Sequence, residues 1–95
     1  MIRIRDFQQH IELRYAATDR QRGWAKTFAY FIEEVGELAT ALARESDREA
    51  EEANLREEFA DVLAWLCTLA NIRGVDLESA IREKYLEGSG PAGIK

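Results

Sequence analysis

The chain has 95 residues and a formal net charge of −5, with 18 acidic against 13 basic side chains. That length suits one domain, and the acidic balance argues against a protein that grips nucleic-acid polymers through a basic face. A single cysteine, Cys67, excludes an intrachain disulfide framework, and no run approaches the roughly 20 apolar residues of a membrane span.

The opening stretch, "MIRIRDFQQHIELRY", lacks the long apolar run of a signal peptide, so a cytoplasmic protein is the expectation. Apolar spacing predicts four helices, and sustained period-two alternation is missing. The first predicted helix covers residues 6–17, with Asp6 as N-cap and Phe7, Ile11 and Tyr15 on its apolar stripe. "TDRQRG" at 18–23 reads as a polar connector.

The second predicted helix runs over 24–44, with Trp24, Phe28, Phe31, Val35, Leu38 and Leu42 on one face. "SDRE" at 46–49 has the form of a capping box and opens the third. That helix carries Leu55, Phe59, Val62, Leu66 and Leu69 and continues to about residue 72. Gly74 suits the left-handed residue that ends it, and Asp76 caps a fourth helix reaching about residue 87. Residues 1–87 thus read as a single all-α domain, and "GSGPAGIK" at 88–95 as a flexible tail. Four Phe, two Trp and three Tyr are many for so small a domain, and point to further burial by self-association.

The middle helices share a design at an offset of 24: Glu33, Glu34, Val35, Glu37 and Leu38 correspond to Glu57, Glu58, Phe59, Asp61 and Val62. At about 100° per residue, each sets an acidic pair, spaced i and i+3, directly beside its apolar stripe. If the stripes pack together, Glu34, Glu37, Glu58 and Asp61 converge at the seam. Two like charges 4 Å apart repel by roughly 4 kcal/mol at an effective dielectric near 20. Either some carboxyls are protonated, or they splay into water, or a cation sits among them. Oxygen-only ligands on rigid helices suit Mg²⁺, with Mn²⁺ as a substitute, and magnesium commonly shares its shell with substrate phosphates.

"EEVGE" at 33–37 followed by "EFAD" at 58–61 resembles the EExxE…ExxD signature of the MazG-like all-α nucleoside triphosphate pyrophosphohydrolases, and "LANIRGVDLESAIREKY" at 69–85 is similar to that family's next segment. The resemblance covers about residues 20–87 and implies a four-helix MazG-type bundle, completed as a homodimer or homotetramer. It implies hydrolysis of a nucleoside triphosphate to monophosphate and pyrophosphate, in the manner of nucleotide-pool house-cleaning. Glu34, Glu37, Glu58 and Asp61 match the magnesium ligands. Glu33 matches a position that orients or deprotonates the attacking water. Trp65, Asn71 and Lys84 match positions that stack on the base, hold the nucleotide and contact phosphates. Phosphoribosyl-ATP hydrolysis is an alternative within the same chemistry, and an acidic helical interaction module is one outside it.

Overall fold

The computed structural model describes residues 1–44 and 49–87. They form α1 (Ile4–Arg22), α2 (Trp24–Ala43), α3 (Glu49–Arg73) and α4 (Leu77–Ile81), the last continued by a π-helical turn at Arg82–Leu86. Among the described residues there is no strand, as the all-α reading expects. The long α3 is the centre: α2 and α1 both pack on it, and α4 leans on α1. The capping box at 46–49 begins outside the described residues, and the tail at 88–95 lies there entirely.

α1 is longer than its apolar stripe suggests. Arg3 rather than Asp6 holds the N-cap position, and Asp6 sits in the first turn, where a carboxylate complements the helix dipole. "TDRQR" is helical and not a connector, because polar side chains alone do not end a helix; the break comes at Gly23. Its φ of 83° and ψ of 166° lie in a region essentially open only to glycine. The Gly23 N–H donates to the Asp19 carbonyl at 3.0 Å. The Gly23 carbonyl accepts from the Thr27 N–H at 3.2 Å and the Thr27 hydroxyl at 2.6 Å. One residue therefore ends α1 and starts α2.

At its other end α3 closes in a Schellman arrangement, with Gly74 at φ 71°. The Gly74 N–H donates to Asn71 O at 3.2 Å and the Val75 N–H to Ala70 O at 2.8 Å. Asp76 then caps α4 by accepting from the Ser79 N–H at 3.2 Å. The fourth helix is not α-helical to residue 87: beyond Ile81 the turns widen, and the Glu87 N–H reaches back five residues to Arg82 O at 2.8 Å.

The interior is small and partly polar. Thr27 and Cys67 are fully buried, joined by Ile11, Ala41, Thr68 and Ala70. The predicted apolar stripes are only half covered. Phe31 and Leu38 are half-buried, as are Leu55, Val62 and Leu69, but Trp24, Phe28, Val35, Leu42, Phe59 and Leu66 are exposed. Phe28 keeps 48% and Phe59 53% of its surface. The buried side chains are mostly small, and the bulky apolar residues beside them are left on the outside of a single chain.

Candidate active site

α2 and α3 are antiparallel at the acidic seam. Glu37 on α2 lies against Glu58 on α3, and two turns away along both helices Tyr30 on α2 meets Trp65 on α3, ring centroids 5.5 Å apart. One carboxylate oxygen each from Glu34, Glu37 and Glu58 lies within 4.8 Å of the others. Glu34 and Glu58 are half-buried and Glu37 is exposed.

The cost of this grouping falls on Glu34 and Glu58. Burial, then the charges of Glu37 and Asp61, raises the Glu34 carboxyl above its ordinary range. The Glu58 carboxyl is raised for the same reasons in the same order. Glu34 Oε2 and Glu58 Oε2 are buried and accept no hydrogen bond among the described residues. Buried acceptors of this kind ordinarily have partners. A set of convergent carboxylate oxygens with uncommitted lone pairs fits a hard divalent cation, which would meet both the charge and the orphaned oxygens.

The remaining predicted residues fall around this centre in different ways. Asp61 is exposed and outside the tight group of three, yet close enough for its charge to act on both Glu34 and Glu58. Glu33 faces solvent on α2. Trp65 is half-buried, with the Arg22 guanidinium 5.1 Å from its ring centroid. Asn71 is drawn away from the centre, because its side-chain amide is bonded to Gln8 on α1. Lys84 is exposed on the π-helical turn, where its ammonium lies over the ring of Tyr85.

Beside Trp65, a cleft of about 360 Å³ opens between α1 and α3. Ile11, Tyr15, Asp19 and Arg22 line it from α1, and Trp65 and Thr68 from α3. Glu58, Asp61, Trp65 and Thr68 are spaced i, i+3, i+7 and i+10, so carboxylates and cleft share one face of α3. The rise from Glu58 to Trp65 is about 10 Å.

Composition and apolar spacing do not single out Asp19, Arg22 or Tyr30. Taken as a connector, 18–23 hides the first two. Extending the α1 wheel to Gly23 would have found them, since Ile11, Tyr15, Asp19 and Arg22 are spaced i, i+4, i+8 and i+11 on one face.

Comparison with known proteins bears on this arrangement. The family model of the MazG nucleotide pyrophosphohydrolase domain matches residues 22–86. The chain belongs to this family. No curated protein matches the chain. The MazG match contains both acidic pairs, Tyr30, Trp65 and the whole of α4, and leaves out nearly all of α1. Asp19 therefore lies outside the matched segment.

Proposed function

We propose that this MazG protein is a divalent-cation-dependent pyrophosphohydrolase that cleaves a nucleoside or deoxynucleoside triphosphate to the monophosphate and pyrophosphate. The observation that carries the reading is the group of three convergent carboxylates, two with orphaned buried oxygens, of which Glu58 shares a face of α3 with an aromatic-lined cleft. Glu34, Glu37 and Glu58 would hold Mg²⁺, or Mn²⁺ in its place, with Asp61 completing the donor set. When bound, such an ion neutralises phosphate oxygens and lowers the pKa of a coordinated water.

The chain's own residues do the rest. The Trp65 face holds the base at one end of the α3 arc while the triphosphate extends toward Glu58 and Asp61. Glu33, exposed next to Glu34, takes the proton of the water that attacks the α-phosphorus. The α–β anhydride bond breaks, and its electrons leave on pyrophosphate. Lys84 contacts the phosphates. The uncovered apolar residues Phe28, Val35, Phe59 and Leu66 fit a homodimer or homotetramer in which a second copy covers them. Clearance of surplus or non-standard nucleotides in the cytoplasm is the corresponding role.

The reading is tested by incubating the protein with a panel of standard and modified triphosphates and Mg²⁺ or Mn²⁺. Pyrophosphate release in an amount equal to the monophosphate is expected. Orthophosphate as the product, or no turnover with either metal, would sink it.

A further inference from the structure

We propose that Arg22 reads the base of the nucleotide through a guanidinium donor that its own contacts leave unused, and that it favours a keto oxygen over an exocyclic amino group at the same place. The inference rests on the pyrophosphohydrolase reading of the adjoining carboxylates, because it takes the cleft beside Trp65 as the seat of the base.

The Arg22 guanidinium is held from two sides. Its Nε donates to Thr27 Oγ1 at 2.9 Å, and its Nη2 to Asp19 Oδ1 at 2.6 Å. Thr27, fully buried, in turn donates to the Gly23 carbonyl, so the anchor ends in the glycine turn between α1 and α2. With those contacts made, the centre of the guanidinium lies 5.1 Å from the Trp65 ring centroid and 5.9 Å from that of Tyr30. A planar cation fixed in this way offers its remaining N–H groups in a set direction.

What remains free is a donor. Nη1 has no acceptor among the described residues, and it is not one of the unpartnered atoms closed off from solvent. The side chain keeps 15% of its surface and lines the cleft. Its partner Asp19 offers nothing comparable, since Oδ1 is taken by Nη2 and Oδ2 is sealed in. The hydroxyls of Tyr15, Thr18 and Thr68 also line the cleft, but a hydroxyl donates or accepts and so suits either kind of base. Arginine only donates, and the open guanidinium nitrogen therefore calls for an acceptor.

Position assigns that acceptor to the base. Arg22 lies against Trp65, and the rise along α3 puts Trp65 about 10 Å from Glu58 and the phosphate end of the site. A keto oxygen held beside Trp65 presents its lone pairs to Nη1. An exocyclic amino group in the same place sets N–H against N–H. A ring nitrogen next to that amino group is a poorer partner, because the amino donors beside it repel the same cation. The π-face of Trp65 serves every base, so stacking adds affinity without selectivity.

The test compares uracil with cytosine triphosphate and hypoxanthine with adenine triphosphate, pairs that differ in keto against amino substitution. The expected preference for the keto member is about 10- to 100-fold in kcat/KM, the range of one hydrogen bond to a charged group. Arg22→Lys keeps a cation but loses the fork that reaches Asp19, Thr27 and a ligand together, so the preference should fall to within about threefold. Because removing the charge alone leaves Asp19 buried and unpaired, a second variant combines Asp19→Asn with Arg22→Gln. It should lose the preference in the same way with its helical circular dichroism retained. A merely structural Arg22 would slow both members of each pair alike, and an unchanged ratio in these variants would overturn the inference. So would equal kcat/KM within each pair, or a preference for the amino member, in the unmodified protein. With pyrophosphate still released, the pyrophosphohydrolase reading would stand.

Calorimetric titration with the four monophosphates reads the cleft without turnover. Keto-selective binding that Arg22→Lys abolishes supports the inference even where no triphosphate is cleaved. Equal affinity for all four, or binding of none, overturns it.

Discussion

Gln8 occupies both ends of the Asn71 side-chain amide: Gln8 Nε2 donates to Asn71 Oδ1 at 2.9 Å, and Asn71 Nδ2 donates to the Gln8 carbonyl at 3.2 Å. Gln8 Nε2 also donates to Val75 O at 2.7 Å, and its Oε1 accepts from the Leu77 N–H at 2.9 Å. One buried glutamine thus ties α1 to the end of α3 and to the start of α4. Gln8→Ala leaves several buried groups without partners, at about 1–3 kcal/mol for each that stays dry. A loss of about 2 kcal/mol in urea unfolding, with an unchanged m-value, is the expected result. Asn71→Ala should lower the urea midpoint comparably. If it raised KM and left the midpoint where it was, Asn71 would belong to the substrate instead.

The raised carboxyl of Glu34 makes a signed prediction. Its folded pKa lies above its unfolded value of about 4.3, so the ionised group costs stability at neutral pH. That penalty fades as pH falls through the folded pKa towards about 4.3. Without divalent ions, Glu34→Gln should therefore melt higher than the unmodified protein at pH 7, and the gap should close as pH falls towards 4.3. With Mg²⁺ at 100 times its dissociation constant, the unmodified protein gains about 2.7 kcal/mol and the variant far less. Pyrophosphate release by the variant should drop at least about 100-fold. Melting curves at two pH values, with and without Mg²⁺, check the order.

Asp76 titrates in the opposite sense. The Arg5 guanidinium, with Nη2 at 2.7 Å from Asp76 Oδ2, and the Ser79 hydroxyl at 2.6 Å hold its carboxyl far below the usual range. A depressed folded pKa contributes stability that is present above the unfolded value of about 3.9 and is lost as pH falls from there towards the folded value. Asp76→Asn should therefore destabilise the protein at pH 7 and converge on it well below pH 3.9. Acid titration of the circular dichroism signal measures the convergence.

Two glycines separate backbone cost from packing cost. Among the described residues a Cβ at Gly23 or Gly74 meets no atom within 4 Å, so the penalty for alanine is conformational. Gly74 sits in the left-handed helical region, where alanine costs roughly 1–2 kcal/mol. Gly23 lies where only glycine is at ease, so Gly23→Ala should cost more, about 2–3 kcal/mol. The reverse order in thermal melts would mean that the turn between α1 and α2 relaxes around the added carbon.

The exposed side of the apolar stripes should disappear on self-association. Phe59→Glu places a charge on that face, and in sedimentation it should shift the protein towards monomer without loss of helical circular dichroism. Unchanged mass for this variant would remove this face as the proposed site of self-association.

The sequence by itself determined which residues are helical in the middle of the chain, and that two acidic pairs stand beside two apolar stripes. Both follow from the 3.6-residue period, which is local and can be counted. The stop at Gly74 and the start at Asp76 were legible for the same reason, because each rests on the backbone chemistry of one or two neighbours. Tertiary structure alone decided that Glu34, Glu37 and Glu58 form the tight group while Asp61 stands at its edge, since that depends on the register between two helices. It also took Asn71 for Gln8, put Phe28 and Phe59 on the outside, and buried Asp19 with one oxygen unanswered. None of these is a property of one helix. Each depends on which polar face a neighbouring helix covers, and hydropathy, which ranks Gln8 and Asp19 as surface residues, cannot anticipate that.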